Sequence, residues 1–371
     1  MAVEIRAVEP VKKELKKFVK FGIDHYNGND CFVPPLIMDD VNTLRPDKNP
    51  AFEFCEAQSF MAYRDNRPVG RITAIINRQV NERSGEKNMR FGFVEFIDDN
   101  EVVDALFDAA IKWGKQRGMT TITGPMGFSD LDHEGMLIEG FDRLGTMATY
   151  YPAQMERMGF KKDVDWVEYL IKIPDGIPEK HQRIAEIVKR KYNLRIVRFK
   201  SRKKIKDEYG KALFDLINEA YSDLYGYSPL TLRQINHYID LYLGILRLDD
   251  ISVIVDADNR LVAVGISMAS FSNALRKSRG RIFPFGWWHL LKPLRGKVDT
   301  VDLLLIAVKP EYQSKGVNAL LFADLIPRYI QTGYKQAESN VELEGNENVQ
   351  KQWEYFEREQ HKRRRAYKKE I

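Results

Sequence analysis

At 371 residues the chain exceeds what one hydrophobic core usually serves, so two domains are expected, and 44% apolar with 30% charged side chains describe a folded protein rather than a disordered one. No apolar run approaches the roughly 18 residues needed to cross a bilayer, and the start MAVEIRAVEPVKKELKKF lacks the apolar core of a secretory signal. Cys31 and Cys55 are too few for a disulfide framework or a zinc site, so a cytoplasmic protein with two free thiols is expected.

The net charge of +5 hides an asymmetry: residues 1–175 carry 23 basic and 29 acidic side chains, and 176–371 carry 35 and 24. A polyanionic ligand or an anionic membrane surface would be drawn to the second half.

Along the chain, residues 59–77 read SFMAYRDNRPVGRITAIIN, two strand-like runs about a turn at Asp65-Asn66. FGFVEFI (91–97) is a further strand, Val102 to Arg117 has helical spacing and stops at Gly118, and TTIT follows as a strand. The same order of hairpin, strand, helix and strand returns about 190 residues later. There Ile251–Asp256 and Leu261–Phe271 flank Asp258-Asn259, VDLLLIAV (301–308) is a buried strand, Asn318–Thr332 is a helix ending at Gly333, and Gln336–Leu343 is a strand. Between the copies, a Pro174–Pro178 turn opens the basic helix EKHQRIAEIVKRKY, read as a linker. The expected domains are therefore 1–175 and 199–371, joined by 176–198.

The most informative stretch is the turn between strand VDLLLIAV and the following helix. Gln313-Ser314-Lys315-Gly316-Val317-Asn318 places a glycine where the backbone can approach a ligand and where free helix N–H groups and the helix dipole favour a pyrophosphate. Lys315 adds a cation. Downstream, Glu344-Gly345-Asn346 forms a polar turn.

This arrangement resembles the GNAT superfamily of acyltransferases, in which a Gln/Arg-x-x-Gly-x-Gly/Ala loop binds the pyrophosphate of acyl-CoA; here Asn318 stands at the last position. The resemblance extends to a bacterial family of tandem GNAT-like proteins through FVPPL (32–36), KNPAF (48–52), GRITAIIN (70–77), GPMGFSDLDHEGMLIEGFD (124–142) and PFGWWHLL (284–291). It implies an α/β (α+β) fold of two GNAT-like domains, each a mixed, mostly antiparallel sheet flanked by helices. It also implies acetyl-CoA or a longer acyl-CoA as donor, with an amine small molecule or lipid as acceptor. Backbone N–H groups near Ala307 and Val308 are expected to polarise the thioester carbonyl, and Asn346 to open the last helix beside the cofactor. A tyrosine acid seven residues after an asparagine falls on Trp353 counted from Asn346 and on Tyr355 counted from Asn348.

An attacking amine must lose a proton, so a carboxylate or imidazole base is required. Glu342 is one candidate, with a solvated strand position as its plainer reading. Glu344 is a second, with helix capping as its plainer reading. His133 and Glu134 are further ones, in the loop Ser129-Asp130-Leu131-Asp132-His133-Glu134-Gly135, whose plainer reading is that Asp130 and Asp132 cap the next helix while His133 makes a local hydrogen bond.

In the first half, Asp98-Asp99-Asn100-Glu101 stands where the phosphate loop would be and would repel a pyrophosphate. No metal is expected, because His133-Glu134 lacks the second histidine of a zinc motif. No nucleic-acid partner is expected either; HKRRRAYKK (361–369) reads as a closing strand with solvated cations. A non-catalytic ligand-binding protein of the same fold is the rival reading. The aromatic segment from Arg281 to Arg295 is expected to pack on protein, to cover an acyl chain, or to make peripheral contact with the inner membrane.

Overall fold

The computed structural model describes residues 2–129, 132, 134–140, 149–222, 224–242 and 244–371, without the side chains of 240, 242 and 348. They form two compact units. The first comprises Met1–Val167, Ser272–His289 and Lys362–Ile371, and the second Glu168–Phe271 and Leu290–His361. These differ from the contiguous halves expected, because two segments late in the chain belong to the first unit.

In the first unit the elements run β1 (Glu4–Val8), α1 (Lys12–His25), α2 (Ile37–Thr43), β2 (Cys55–Arg64), β3 (Arg67–Asn77), α3 (Arg78–Ser84), β4 (Asn88–Phe96) and α4 (Asn100–Lys115). They continue with β5 (Thr121–Gly124), β6 (Met136–Glu139), α5 (Tyr150–Arg157) and β7 (Lys161–Lys172), whose last residues lie in the second unit. The second unit adds α6 (Glu179–Lys191), β8 (Arg195–Val197), α7 (Arg202–Ala220), α8 (Leu232–Tyr242), β9 (Ile251–Val255) and β10 (Leu261–Ala269). After α9 (Ser272–Ser278) and α10 (Gly286–Leu294) come β11 (Thr300–Val308), α11 (Val317–Thr332), β12 (Gln336–Glu338), β13 (Glu342–Leu343), α12 (Glu347–Gln350) and β14 (Arg358–Glu370).

The strand order is β1-β2-β3-β4-β5-β14 in the first unit and β7-β12-β11-β10-β9-β8 in the second. Each sheet is antiparallel except where a helix returns the chain, at β4/β5 across α4 and at β11/β12 across α11. The two halves therefore repeat one plan, as their element order implies. Local chemistry accounts for the turns. Asp65 and Asn66 both take positive φ, the conformation a two-residue hairpin needs, and Asp256 accepts from the N–H groups of Asp258 and Arg260 in the second hairpin. Gly333, at φ 92°, ends α11.

The helix read as a linker is part of the second unit. Its apolar stripe buries Ala185 and Val188 against α11, in a core with Val317, Leu320 and Leu321. β8, just beyond it, pairs with β9 as the sheet edge. On α11 the buried Asp324 is held by Arg198, Arg328 and the Ser252 hydroxyl, which ties the helix to β9 and to the residue after β8. The basic C-terminal run closes the first unit's sheet, where Arg363 and Arg365 bond the buried Asp165. Cys31 and Cys55 are free thiols, half-buried and buried.

Candidate acyl-CoA site

β11 pairs with β12 only through Thr300–Asp302, against Gln336–Glu338. Beyond Asp302 the strands part, and Asn340 Nδ2 reaching Leu304 O at 3.1 Å crosses the gap. The expected strand 336–343 is thus broken after Glu338, because Ser339 turns to exchange bonds with Tyr169 and the chain resumes as β13. Along β11, Lys309 N–H bonds Val262 O on β10. Antiparallel alternation then uses the Ala307 N–H on β10 and turns that of Val308 toward the opening.

The loop after β11 has two residues of positive φ, Ser314 at 57° and Gly316 at 81°. Gln313 donates to Val308 O at 3.1 Å and closes the loop's base. Among the described residues no backbone carbonyl takes the N–H groups of Gly316, Val317 or Asn318, leaving the donor set an anion would need. The Lys315 ammonium lies 5.5 Å from the Tyr192 ring centroid and 5.7 Å from that of Tyr312. Donor set and charge fit a pyrophosphate. Glycine at 316 also meets a requirement that the sequence did not show: a Cβ there would meet Ile184 Cγ2 at 2.8 Å and Val188 Cγ2 at 3.3 Å, so φ and the packing of α6 demand it. Asn318 donates to Gln352 Oε1 at 3.1 Å, fastening the first turn of α11 to the turn before Trp353.

Glu342 is buried, at 8% exposure, not on a solvated face. Its Oε1 accepts from Trp353 Nε1 at 2.7 Å, while Oε2 has no hydrogen-bond partner. Burial pushes the carboxyl up to about 7, against the opposing pull of the Trp353 bond, the Arg358 charge and the Ser339 hydroxyl. Trp353 also lines a narrow apolar cavity with Gly265, Ile306, Phe322, Leu325 and Ala337. Glu342, Trp353, the Gln352 turn and the loop at Asn318 therefore belong to one connected arrangement.

The other expected residues lie as follows. Tyr355 is exposed, its hydroxyl taken by Lys180, whose ammonium lies 3.9 Å from the ring centroid, and it packs edge-on to His181. Of the two positions reached by counting, Trp353 is the one that touches Glu342. Asn346 caps α12 through Val349 N at 3.4 Å. Glu134 is buried in the first unit, and His133 lies outside the described residues. Asp132 accepts from Ser129 N at 3.0 Å, a bond back across the loop, and the next described element is strand β6, not the helix that a capping role would need.

In the first unit, Asp99 caps α4 through Val102 N and pairs with Arg64, which Glu101 shares. Asp98 accepts from Gln154. The place a pyrophosphate would take is thus already filled by carboxylates. Calorimetric titration with CoA should give one equivalent per chain, and two equivalents would refute this asymmetry.

Two groups have no local signal in the sequence. Glu168, Glu338 and His361 bring their ligand atoms within 4.8 Å of one another, mostly buried, on three strands far apart in sequence. Such a set could hold a metal ion. In the first unit, buried Arg71 pairs with Glu95 and donates to Phe18 O at 3.1 Å, while His25 contacts the hydroxyls of Tyr150 and Tyr151 at 3.3 and 3.0 Å.

No protein-family model matches the chain. Protein YghO of Escherichia coli (strain K12) is 29% identical over 371 residues, covering 97% of this chain and 94% of that protein. The bacterial ceramide synthase of Caulobacter vibrioides (strain NA1000 / CB15N) is 30% identical over 319 residues, with 83% and 82% covered. Among solved structures, a tandem GNAT protein from the clavulanic acid biosynthesis pathway superposes with a TM-score of 0.60 at 13% identity, covering 99% of this chain and 98% of that one. A GCN5-related N-acetyltransferase from Sphaerobacter thermophilus gives 0.53 at 11%, covering 99% and 95%. With two repeated sheets, a loop of free N–H groups after β11 and relatives along nearly its whole length, the chain belongs to the bacterial family of tandem GNAT-like proteins that includes the Caulobacter ceramide synthase.

Proposed function

We propose that this protein transfers an acyl group from acyl-CoA to an amine by direct attack in a ternary complex. The observation that carries this reading is Glu342: a buried carboxyl with one oxygen unpartnered, raised to about 7, joined through Trp353 and Gln352 to a loop fit for a pyrophosphate. A base poised near neutral pH is what deprotonation of an attacking amine requires.

In this reading the pyrophosphate rests on residues 313–318, the thioester enters the opening between β11 and β12, and the Val308 N–H receives the carbonyl oxygen. The amine nitrogen forms the C–N bond and its proton passes to Glu342. The C–S bond breaks, and the proton held on Glu342 is released through solvent to the CoA thiolate, so the carboxylate is restored and amide and free CoA leave in equal amounts. Nothing in these steps needs a covalent enzyme intermediate.

The Caulobacter relative is named for ceramide, an N-acylated long-chain amino alcohol, and the acceptor proposed here is accordingly a lipidic amine with a long-chain acyl-CoA as donor. Free-thiol release should rise with acyl chain length in the presence of a long-chain amino alcohol. Equal or faster turnover of acetyl-CoA would remove the lipid part of the proposal and leave amine acylation standing.

Trp353→Phe tests the base itself. It removes the indole donor to Glu342 Oε1, so the acidic limb of kcat/KM should move up by about one pH unit. An unmoved limb would show that another group titrates.

A further inference from the structure

From Asn259 to Val298 the chain has no acidic residue, and residues 272–298 hold seven cations: Arg276, Lys277, Arg279, Arg281, Lys292, Arg295 and Lys297. Four aromatic rings stand among them. Phe283 is 78% exposed, Phe285 77%, Trp288 66% and Trp287 44%. Of the three places expected for this segment, protein packing does not account for these four rings, which stand in water at a known cost.

The segment is nevertheless built, not loose. Gly280 O accepts from Ile37 N at 2.9 Å, Arg276 donates to Cys31 O at 3.1 Å, and Arg279 pairs with Asp24 and Asn27. At the tip, Trp287 N bonds Ile282 O at 2.8 Å, its indole donates to Pro284 O at 3.1 Å, and the two indoles meet edge to face with centroids 5.7 Å apart. The base is thus spent on the first unit, while the tip presents rings. Lys277 and Arg281, both exposed, have no acidic partner among the described residues.

We infer that this aromatic tip is a docking surface for an anionic lipid bilayer. Trp and Phe side chains settle at the level of the headgroups, and surrounding cations are drawn to anionic lipid. Charge selects the occupant: a second copy would bring the same unopposed cations to the contact and be repelled. No helix among the described residues is long and apolar enough to cross a membrane, so the contact is peripheral. This inference does not rest on the acyl-transfer reading, although a lipidic acceptor would be met at such a surface.

The test uses the full chain without substrate, so that it stands apart from catalysis. The protein should sediment with vesicles of phosphatidylglycerol and phosphatidylethanolamine, and at least about tenfold less with phosphatidylcholine alone or at high salt. Tryptophan emission should shift to the blue on binding. A Phe283→Ser/Phe285→Ser/Trp288→Ser variant, folded by circular dichroism, should lose at least about a hundredfold in partition. Lys277→Glu/Arg281→Glu should lose the salt-sensitive share alone. Absence of sedimentation with anionic vesicles, or equal binding by the triple variant, would overturn the inference. So would self-association of the native chain that the triple variant abolishes, because the occupant would then be a second copy.

Discussion

Glu342→Gln is expected to lower kcat by about 10²–10⁴-fold and at the same time to make the protein more stable at alkaline pH. Both follow from one burial. The carboxyl's ordinary value of 4.5 is raised to about 7 in the folded chain. Below pH 4.5 the group is protonated whether the chain is folded or not, and its burial carries no ionisation cost. As pH rises from 4.5 toward 7, only the unfolded chain ionises, so folding loses stability progressively. Above 7 the loss is complete, roughly 3 kcal/mol. Glutamine fills the same space, can still accept from Trp353, and has no such loss. Urea denaturation at pH 8 should therefore favour the variant, and the difference should vanish near pH 4. A variant that is both less active and less stable at pH 8 would mean that the carboxylate supports the fold and does not serve as a base held ready in it.

Gly316→Val is expected to destabilise the second unit by about 3 kcal/mol, from a β-branched residue forced to φ 81° and from a Cβ driven into Ile184. Chemical denaturation should show a lower midpoint, and CoA binding should fall with it. That loss alone cannot speak for the pyrophosphate, since α6 is displaced as well. Lys315→Glu separates the two, because its side chain is exposed and lies over the Tyr192 and Tyr312 rings. Its midpoint should be unchanged while CoA affinity drops at least about tenfold, with an acyl-pantetheine bound as before. Unchanged affinity for CoA in Lys315→Glu would remove the loop from the cofactor site.

Much of the plan was legible because it is local. The hairpin turns at Asp65-Asn66 and Asp258-Asn259, the end of α11 at Gly333 and the glycine before its first residue follow from backbone preferences of residues adjacent in the chain. What was not legible is long-range. α6 has the composition of a solvated basic linker, yet Ala185 and Val188 form a stripe that only α11 reveals as core. Lys362–Ile371 completes the first unit because its partner is β5, some 240 residues earlier, and no spacing rule connects them. Glu342 carried an even choice between solvent and site in its own segment. Trp353, eleven residues on, covers the carboxyl and removes the solvated reading, and counting toward a tyrosine obscured that the tryptophan is the partner. Glu168, Glu338 and His361 meet only because β7, β12 and β14 bring them together.

The most direct measurement is the product. Purified protein incubated with a long-chain acyl-CoA and a long-chain amino alcohol should form the N-acyl amide and free CoA in equal amounts by mass spectrometry, with both falling together in Glu342→Gln. Release of CoA without amide, or amide formed at the native rate by Glu342→Gln, would contradict the account.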